Sequence, residues 1–278
     1  MAVLGTALAA CAAWLMLPRF LTLIERAGFV RSNFRGQPVP VAAGAGLALV
    51  YGAALMFLLT VELVRLRQAS AAAEFRLLWA LLLASLGMSL VGLIDDVFGD
   101  RSATGLKGHF SRLREGVLTT GALKAFFGGV TGVAAAVLVS PRPVDVVLNI
   151  LLIPLSANAF NLLDLRPGRA GKAFFLLATA LWAATPSAPV WPYVAPLLAI
   201  TAVYLPYDLR ARAMLGDAGS NLLGGVAGVA AAAALPALGR AALLSLLAAL
   251  HVYAERASLS ELIERVTPLR WLDQWGRG

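Results

Sequence analysis

The sequence has few charged residues and a single cysteine, and each of these features excludes some classes of protein. Only 14% of the 278 residues are charged and 60% are hydrophobic, a composition that excludes an ordinary soluble domain and is typical of membrane proteins. Because Cys11 is the only cysteine in the sequence, the chain cannot form an internal disulfide or a cysteine-based zinc site. The first apolar run, residues 3–24, lacks a basic segment before it, so we expect an uncleaved span rather than a signal peptide.

Long apolar runs occupy most of the chain and predict nine membrane spans, since about 17–25 apolar residues cross a bilayer as a helix. The predicted spans are residues 3–24, 41–64, 77–94, 121–139, 144–164, 172–186, 190–207, 219–236 and 240–254. Residues 255–278 mix Leu, Ile and Trp with Arg and Glu, which predicts an amphipathic helix lying on the membrane interface. The predicted fold is therefore an all-α polytopic helical bundle, residues 1–254, with an interfacial tail, residues 255–278.

The distribution of charge predicts the orientation of the bundle. A net charge of +8 can indicate nucleic-acid binding, but the basic residues lie in short loops between spans, which the positive-inside rule explains better. Most of them follow the odd-numbered spans, so we expect the N-terminus outside and the C-terminal tail in the cytoplasm. The predicted cytoplasmic acids are Asp95, Asp96, Asp100, Asp164, Asp208, Asp217 and Asp273, with Asp145 outside. Such clustering on one face predicts a single polar site built from several loops.

The third span ends in two adjacent carboxylates, Asp95 and Asp96, and Asp100 follows four residues later. Acids at the mouth of an apolar helix lie at the water boundary or face a cavity. Three together suit a hard cation such as Mg²⁺, bound through carboxylates, water and a substrate phosphate. The alternative interpretation is a solvated helix end that stops the span.

Polar residues also end the fifth span and begin the eighth. Asn158, Asn161 and Asp164 are spaced to lie along one stripe of a helix, where they either contact a ligand or hydrogen-bond to neighbouring helices. In the segment from Gly216, Asp217 is a candidate metal ligand. Gly219 and Ser220 at the start of a helix suit an anion.

Cations near these acids have two interpretations each. Lys124 lies about one turn inside the fourth span, where it either snorkels to the interface or contacts a phosphate. Arg166 and Arg169, with Lys172 close behind, either bind a phosphate or anchor their loop to anionic headgroups.

These motifs and their order resemble the polyprenyl-phosphate N-acetylhexosamine-1-phosphate transferases, glycosyltransferase family 4, which include the phospho-N-acetylmuramoyl-pentapeptide transferase. The resemblance covers roughly residues 30–255. It implies a bacterial inner-membrane enzyme, dependent on Mg²⁺ with Mn²⁺ as an alternative, that acts as a homodimer. A polyprenyl phosphate would attack the β-phosphate of a UDP-N-acetylhexosamine and release UMP, which leaves a lipid-linked sugar of the kind used to build the cell wall.

The resemblance also implies roles for individual residues. Asp217 resembles the metal ligand, and Asp95 and Asp96 look like the pair that activates the lipid phosphate or binds metal. Asn161 and Asp164 look like contacts to the nucleotide or sugar. Lys124 resembles a phosphate-facing lysine.

Two departures from the family pattern fall on the donor side. The family usually has Asp-Gly-x-Asp-Gly where this chain has Asp164 to Gly168, with Pro167 in place of the second acid. A histidine-rich motif and a tenth span are also missing, and only His251 remains near that position. The alternative is therefore a non-catalytic relative that binds a polyprenyl-phosphate lipid or supports a cell-envelope complex. A prenyltransferase would need two Asp-rich repeats, and a transporter would have its acids near the bilayer midplane.

Overall fold

A computed structural model describes residues 2–65, 72–99, 112 and 114–277. Asp100 and the basic segment 105–110 lie outside the described residues. Within them the chain forms eleven helices and two short strands. In chain order they are α1 (Ala2–Arg26), β1 (Val30–Ser32), β2 (Pro38–Pro40), α2 (Ala43–Arg65), α3 (Ala72–Phe98), α4 (Thr120–Val139), α5 (Pro143–Leu163), α6 (Arg169–Ala184), α7 (Trp191–Leu209), α8 (Gly216–Ala234), α9 (Ala237–Ala254), α10 (Leu259–Arg265) and α11 (Thr267–Gln274).

The all-α polytopic fold class is confirmed, and each of the nine predicted spans coincides with one of helices α1 to α9. In the described part of the chain, six helices are long and apolar enough to cross a membrane: α1, α2, α3, α4, α5 and α9. The other three fall short for different reasons. With 16 residues, α6 is about 24 Å long, less than the roughly 30 Å hydrocarbon core. Helix α7 contains Pro196 and Pro206, and α8 consists largely of Gly and Ala, so both helices are less apolar than the six.

Helix α8 lies at the centre of the bundle, packed mainly against α3 and α5 and also against α2. Nearly all of its residues are buried, and small side chains allow its neighbours to approach closely. A Cβ on Gly44 of α2 would lie 2.0 Å from the Cα of Gly219, and one on Gly224 would lie 2.4 Å from the carbonyl oxygen of Ser156 in α5. Protein therefore surrounds α8, which explains its low hydropathy.

A two-stranded hairpin covers one end of the bundle. Strands β1 and β2 pair antiparallel, with Val30 opposite Pro40 and Ser32 opposite Pro38. The hairpin is tied to the start of α8, because the amide of Met214 donates to the carbonyl of Pro40 at 2.8 Å. Arg31 reaches from β1 to the carbonyl oxygen of Asp96 at 2.7 Å. The first loop is thus fixed at the end of the bundle where the acids cluster.

The tail forms two short helices, so the prediction of one amphipathic helix is wrong in that respect. Ser258 caps α10, accepting a hydrogen bond from the amide of Glu261, and the chain turns at Val266 before α11. Pro268 lies in the first turn of α11, where a missing N–H is tolerated. The tail also packs against the start of α6, through contacts described below.

Candidate active site

The site forms where the end of α3 meets the start of α8. Both oxygens of Asp96 accept backbone hydrogen bonds, from the amides of Asp217 and Ala218, each at 2.9 Å. Asp96 is buried and does not line the neighbouring cavity. The carboxylate therefore acts as a cap that holds the first turn of α8 against α3, a structural role that the sequence did not predict.

Asp95, one residue earlier, points in another direction and lines the cavity. Its carboxylate lies within hydrogen-bond reach of the Asp217 carboxylate and of Thr120. The Lys124 ammonium forms an ion pair with Asp217 and lies 3.7 Å from Asp95. The three side chains are about a quarter exposed or less, so they remain accessible while water is partly excluded. The Lys124 ammonium thus contacts two carboxylates at the lining of the cavity.

The amide stripe of α5 contacts the same cluster. Asn161 donates from Nδ2 to Oδ2 of Asp217 at 3.2 Å, and the Ser220 hydroxyl donates to Oδ1 of Asn161 at 3.3 Å. Ser220 is fully buried, so its visible role is to orient Asn161. Gly219 lies at the crossing with α2 instead of at the cavity. Asn158, one turn before Asn161, lines the cavity directly.

The cavity has a volume of about 520 Å³ and is polar in one part and apolar in another. Met88, Val91, Pro154 and Leu155 supply the apolar part. The polar lining is formed by Asp95, Thr120, Lys124, Asn158, Asn161, Asn221 and Glu255. Of these, sequence reasoning did not select Thr120, Asn221 or Glu255. A signal for Glu255 existed, since it directly follows the ninth apolar run on the side where the acids cluster.

Asp164 lies in a second, smaller cavity of about 70 Å³, together with Arg166, Asp208 and the hairpin residues Asn33 and Phe34. The amide of Gly216 donates to Asp164, and that of Gly168 donates to Asp208. Burial raises the pKa of Asp208, which follows the seventh predicted span, to about 7. Among the described atoms Oδ2 of Asp208 has no hydrogen-bond partner.

Arg169 lines neither cavity, and it contacts the tail of its own chain instead of either of its two predicted partners, a phosphate or an anionic headgroup. Its guanidinium forms a buried ion pair with Asp273 of the tail, with Nε 2.8 Å from Oδ1. A second hydrogen bond joins Nη1 to the hydroxyl of Ser260 at 3.0 Å. The sequence did not indicate this pairing, because the partners lie about one hundred positions apart.

The donor atoms of the large cavity limit how a metal could be bound. Over residues 2–65, 72–99, 112 and 114–277, no three His, Cys, Asp or Glu side chains are grouped to enclose a metal ion. Asp95 and Asp217 remain as an adjacent pair of carboxylates. Mg²⁺ commonly binds proteins through one or two carboxylates and completes its shell with water and substrate phosphates. The pair fits that mode and does not fit a metal cage made of protein alone.

Comparison with known protein families gives a match over the central part of the chain. The family model described as glycosyl transferase family 4 matches residues 78–235, from α3 to the end of α8. The matched region contains Asp95, Lys124, Asn161 and Asp217, whereas Glu255 and the tail lie beyond it. No curated protein matches the chain in sequence.

Proposed function

We propose that this chain, which belongs to glycosyl transferase family 4, transfers a sugar-1-phosphate from a UDP-N-acetylhexosamine-type donor to a polyprenyl phosphate and releases UMP. One observation carries the proposal. Asp95 and Lys124 line a cavity that is polar beside them and apolar further along, and the Lys124 ammonium also pairs with the Asp217 carboxylate. A charged cluster next to an apolar surface suits a phosphate that is attached to a hydrocarbon chain.

The acceptor end of the proposal rests on Lys124 and the apolar lining. The Lys124 ammonium is partly buried between two carboxylates, and its charge suits a phosphate oxygen. Met88, Val91 and Leu155 provide apolar surface next to it. An isoprenoid chain would lie against that surface, with its phosphate directed at Lys124.

The donor end of the proposal rests on the amides and on Glu255. Asn158, Asn161 and Asn221 offer both donors and acceptors, and the Glu255 carboxylate accepts hydrogen bonds. Hydroxyl and acetamido groups of a sugar match that inventory. Asp164 and Arg166, which line the smaller cavity, would contact the nucleotide part of the donor.

We assign Mg²⁺, with Mn²⁺ as an alternative, to the carboxylate pair of Asp95 and Asp217. The ion would neutralise charge on the pyrophosphate of the donor. Asn161 supports this assignment, because its hydrogen bond at 3.2 Å fixes the direction of the Asp217 carboxylate. Asp96 contributes indirectly by fixing the backbone from which Asp217 projects.

In the proposed reaction an oxygen of the lipid phosphate forms a bond to the β-phosphorus of the donor. The bond from that phosphorus to the oxygen bridging the two phosphates breaks, and UMP leaves with the bridging oxygen. Asp95 would accept any proton remaining on the lipid phosphate, while Lys124 would stabilise negative charge on the oxygens in the transition state. The main obstacle is the repulsion between the lipid phosphate and the pyrophosphate of the donor, and the positive charge of Lys124 reduces that repulsion.

We place the site at the cytoplasmic face of a bacterial inner membrane. The loops that meet at the site are the ones that hold most of the Lys and Arg residues, as the positive-inside rule requires of a cytoplasmic face. The N-terminus would then lie outside and the tail inside.

The test is a radiolabel exchange assay with the purified full chain in detergent. Undecaprenyl phosphate, Mg²⁺ and a panel of UDP-N-acetylhexosamines are supplied, and UMP release is followed. We expect release that requires both lipid and metal and that is abolished in Asp217→Asn. The control Glu261→Gln removes an exposed carboxylate of the tail and should leave the rate unchanged. Unchanged turnover in Asp217→Asn would remove the metal assignment. Retained lipid-phosphate binding with no release from any donor would favour the non-catalytic alternative.

A further inference from the structure

Helix α11 turns its acid towards the protein and its tryptophans away from it. Asp273 is buried, with 7% of its surface exposed, whereas Trp271 and Trp275 are 66% and 62% exposed. The two indole rings stack with centroids 6.3 Å apart. A helix on a water-facing surface has the opposite arrangement, with its apolar side against the protein. The outer face of α11 therefore suits a medium less polar than water.

The inner face of α11 is fixed by a buried cluster of charges. Asp273 accepts from Arg169 at 2.8 and 3.1 Å and from Arg277 at 2.6 and 3.0 Å. The ammonium of Lys172 donates to the carbonyl oxygens of Leu272 at 2.8 Å, Asp273 at 2.6 Å and Trp275 at 3.1 Å. A cation at the last carbonyls of a helix satisfies acceptors that have no partner within the helix.

The same cluster reaches the loop that borders the smaller cavity. Arg277 donates from Nε to the carbonyl oxygen of Pro167 at 2.9 Å. Arg169 begins α6 directly after Gly168, whose amide donates to Asp208. The tail, residues 165–168 and Asp208 are thus joined by consecutive hydrogen bonds.

We propose that α11 docks on the headgroup region of a phospholipid bilayer through Trp271 and Trp275 and, through Asp273, holds residues 165–168 in position. A bilayer is the natural occupant, because α11 follows closely after α9, a helix able to span the membrane. Indole rings favour the membrane interface. Exposed Arg270 directly precedes Trp271 and suits anionic headgroups.

The docking half is tested by fluorescence quenching of the full chain in vesicles of phosphatidylcholine and phosphatidylglycerol. The fluorescence of Trp271 and Trp275 is obtained by subtracting the emission of the Trp271→Phe, Trp275→Phe double variant from that of the parent chain. We expect that difference to be quenched by lipids brominated near the headgroup and to be protected from aqueous iodide. Trp14→Phe, which removes an exposed tryptophan from α1, is the matched control and should report a deeper position. Quenching of the pair by iodide, with no effect of brominated lipid, would overturn the proposal.

The positioning half is tested by hydrogen exchange of the full chain in lipid nanodiscs. Loss of one charged, buried hydrogen-bonded pair corresponds to about tenfold faster exchange. Asp273→Asn weakens the pairs with both Arg169 and Arg277, so we expect an increase greater than about tenfold in residues 165–172, and about tenfold in Arg277→Gln, which keeps the Arg169 pair. Glu261→Gln breaks an ion pair that is exposed on both sides and should change nothing there. Parent-like exchange of residues 165–172 in both tail variants would refute the coupling. Neither measurement depends on the proposed transfer reaction.

Discussion

Replacing Gly92 by alanine is expected to displace the reacting groups without altering any of them. Gly92 lies on α3 one turn before Asp95, and an added Cβ would lie 2.1 Å from the carbonyl oxygen of Asp217 and 2.5 Å from the amide nitrogen of Ala218. Contacts of a Cβ below 3.0 Å essentially never occur, so α3 and the first turn of α8 must separate by about 1 Å. That separation also breaks the hydrogen bonds between Asp96 and the start of α8.

Two measurements follow from that displacement. A shift of about 1 Å between reacting groups lowers turnover by roughly 100-fold, which UMP release would report. Overpacking costs about 1–3 kcal/mol, which corresponds to a loss of about 5 °C in Tm by thermal unfolding in detergent. Gly239→Ala is the matched control, because the nearest heavy atom lies 3.4 Å from the added Cβ. Parent-like turnover and Tm in Gly92→Ala would refute the reasoning.

Three further predictions concern charge. The folded pKa of Asp208, about 7, lies above the unfolded value of about 3.9, so the free energy of unfolding falls as pH rises between these values. Asp208→Asn should therefore raise the free energy of unfolding by up to about 4 kcal/mol at pH 8 but by little at pH 4.5. Equal gains in Tm at both pH values would contradict this. Lys124→Met should lower UMP release, yet enlarge the rise in Tm that Mg²⁺ produces, because the ammonium no longer competes for its two carboxylates; a Tm independent of Mg²⁺ would count against the site. Arg240→Ala should lower Tm several times more than Arg142→Ala, since Arg240 pairs with Asp145 in the interior whereas Arg142 is 64% exposed, and similar losses would show that burial does not decide the effect.

Hydrophobic patterning was sufficient to predict the nine long helices, because an apolar run of this length has few alternatives to a helix in lipid. It could not decide which of two adjacent carboxylates faces the cavity. Successive residues on a helix point about 100° apart, so the crossing of α3 with α8 alone directs Asp95 into the cavity and Asp96 to the backbone of α8.

Partners distant in the sequence were also beyond prediction. Arg169 follows a loop with other cations and looked like an anion contact, yet Asp273 neutralises it. Burial alone would raise the pKa of Asp273, but hydrogen bonds from Arg169 and Arg277 outweigh burial and lower it. Glu255 reaches the cavity because α9 packs along α5, a pairing that local sequence does not encode.

The composition of α8 has a consequence for how the protein is made. A helix of Gly and Ala that also contains Asp217 and Asn221 gains little free energy on entering lipid from the translocon. Its main neighbours, α2, α3 and α5, are all synthesised before it. We therefore expect α8 to enter the membrane by inserting between helices that are already in place, so that Asp95 and Asp217 come together only after α2, α3 and α5 have been inserted.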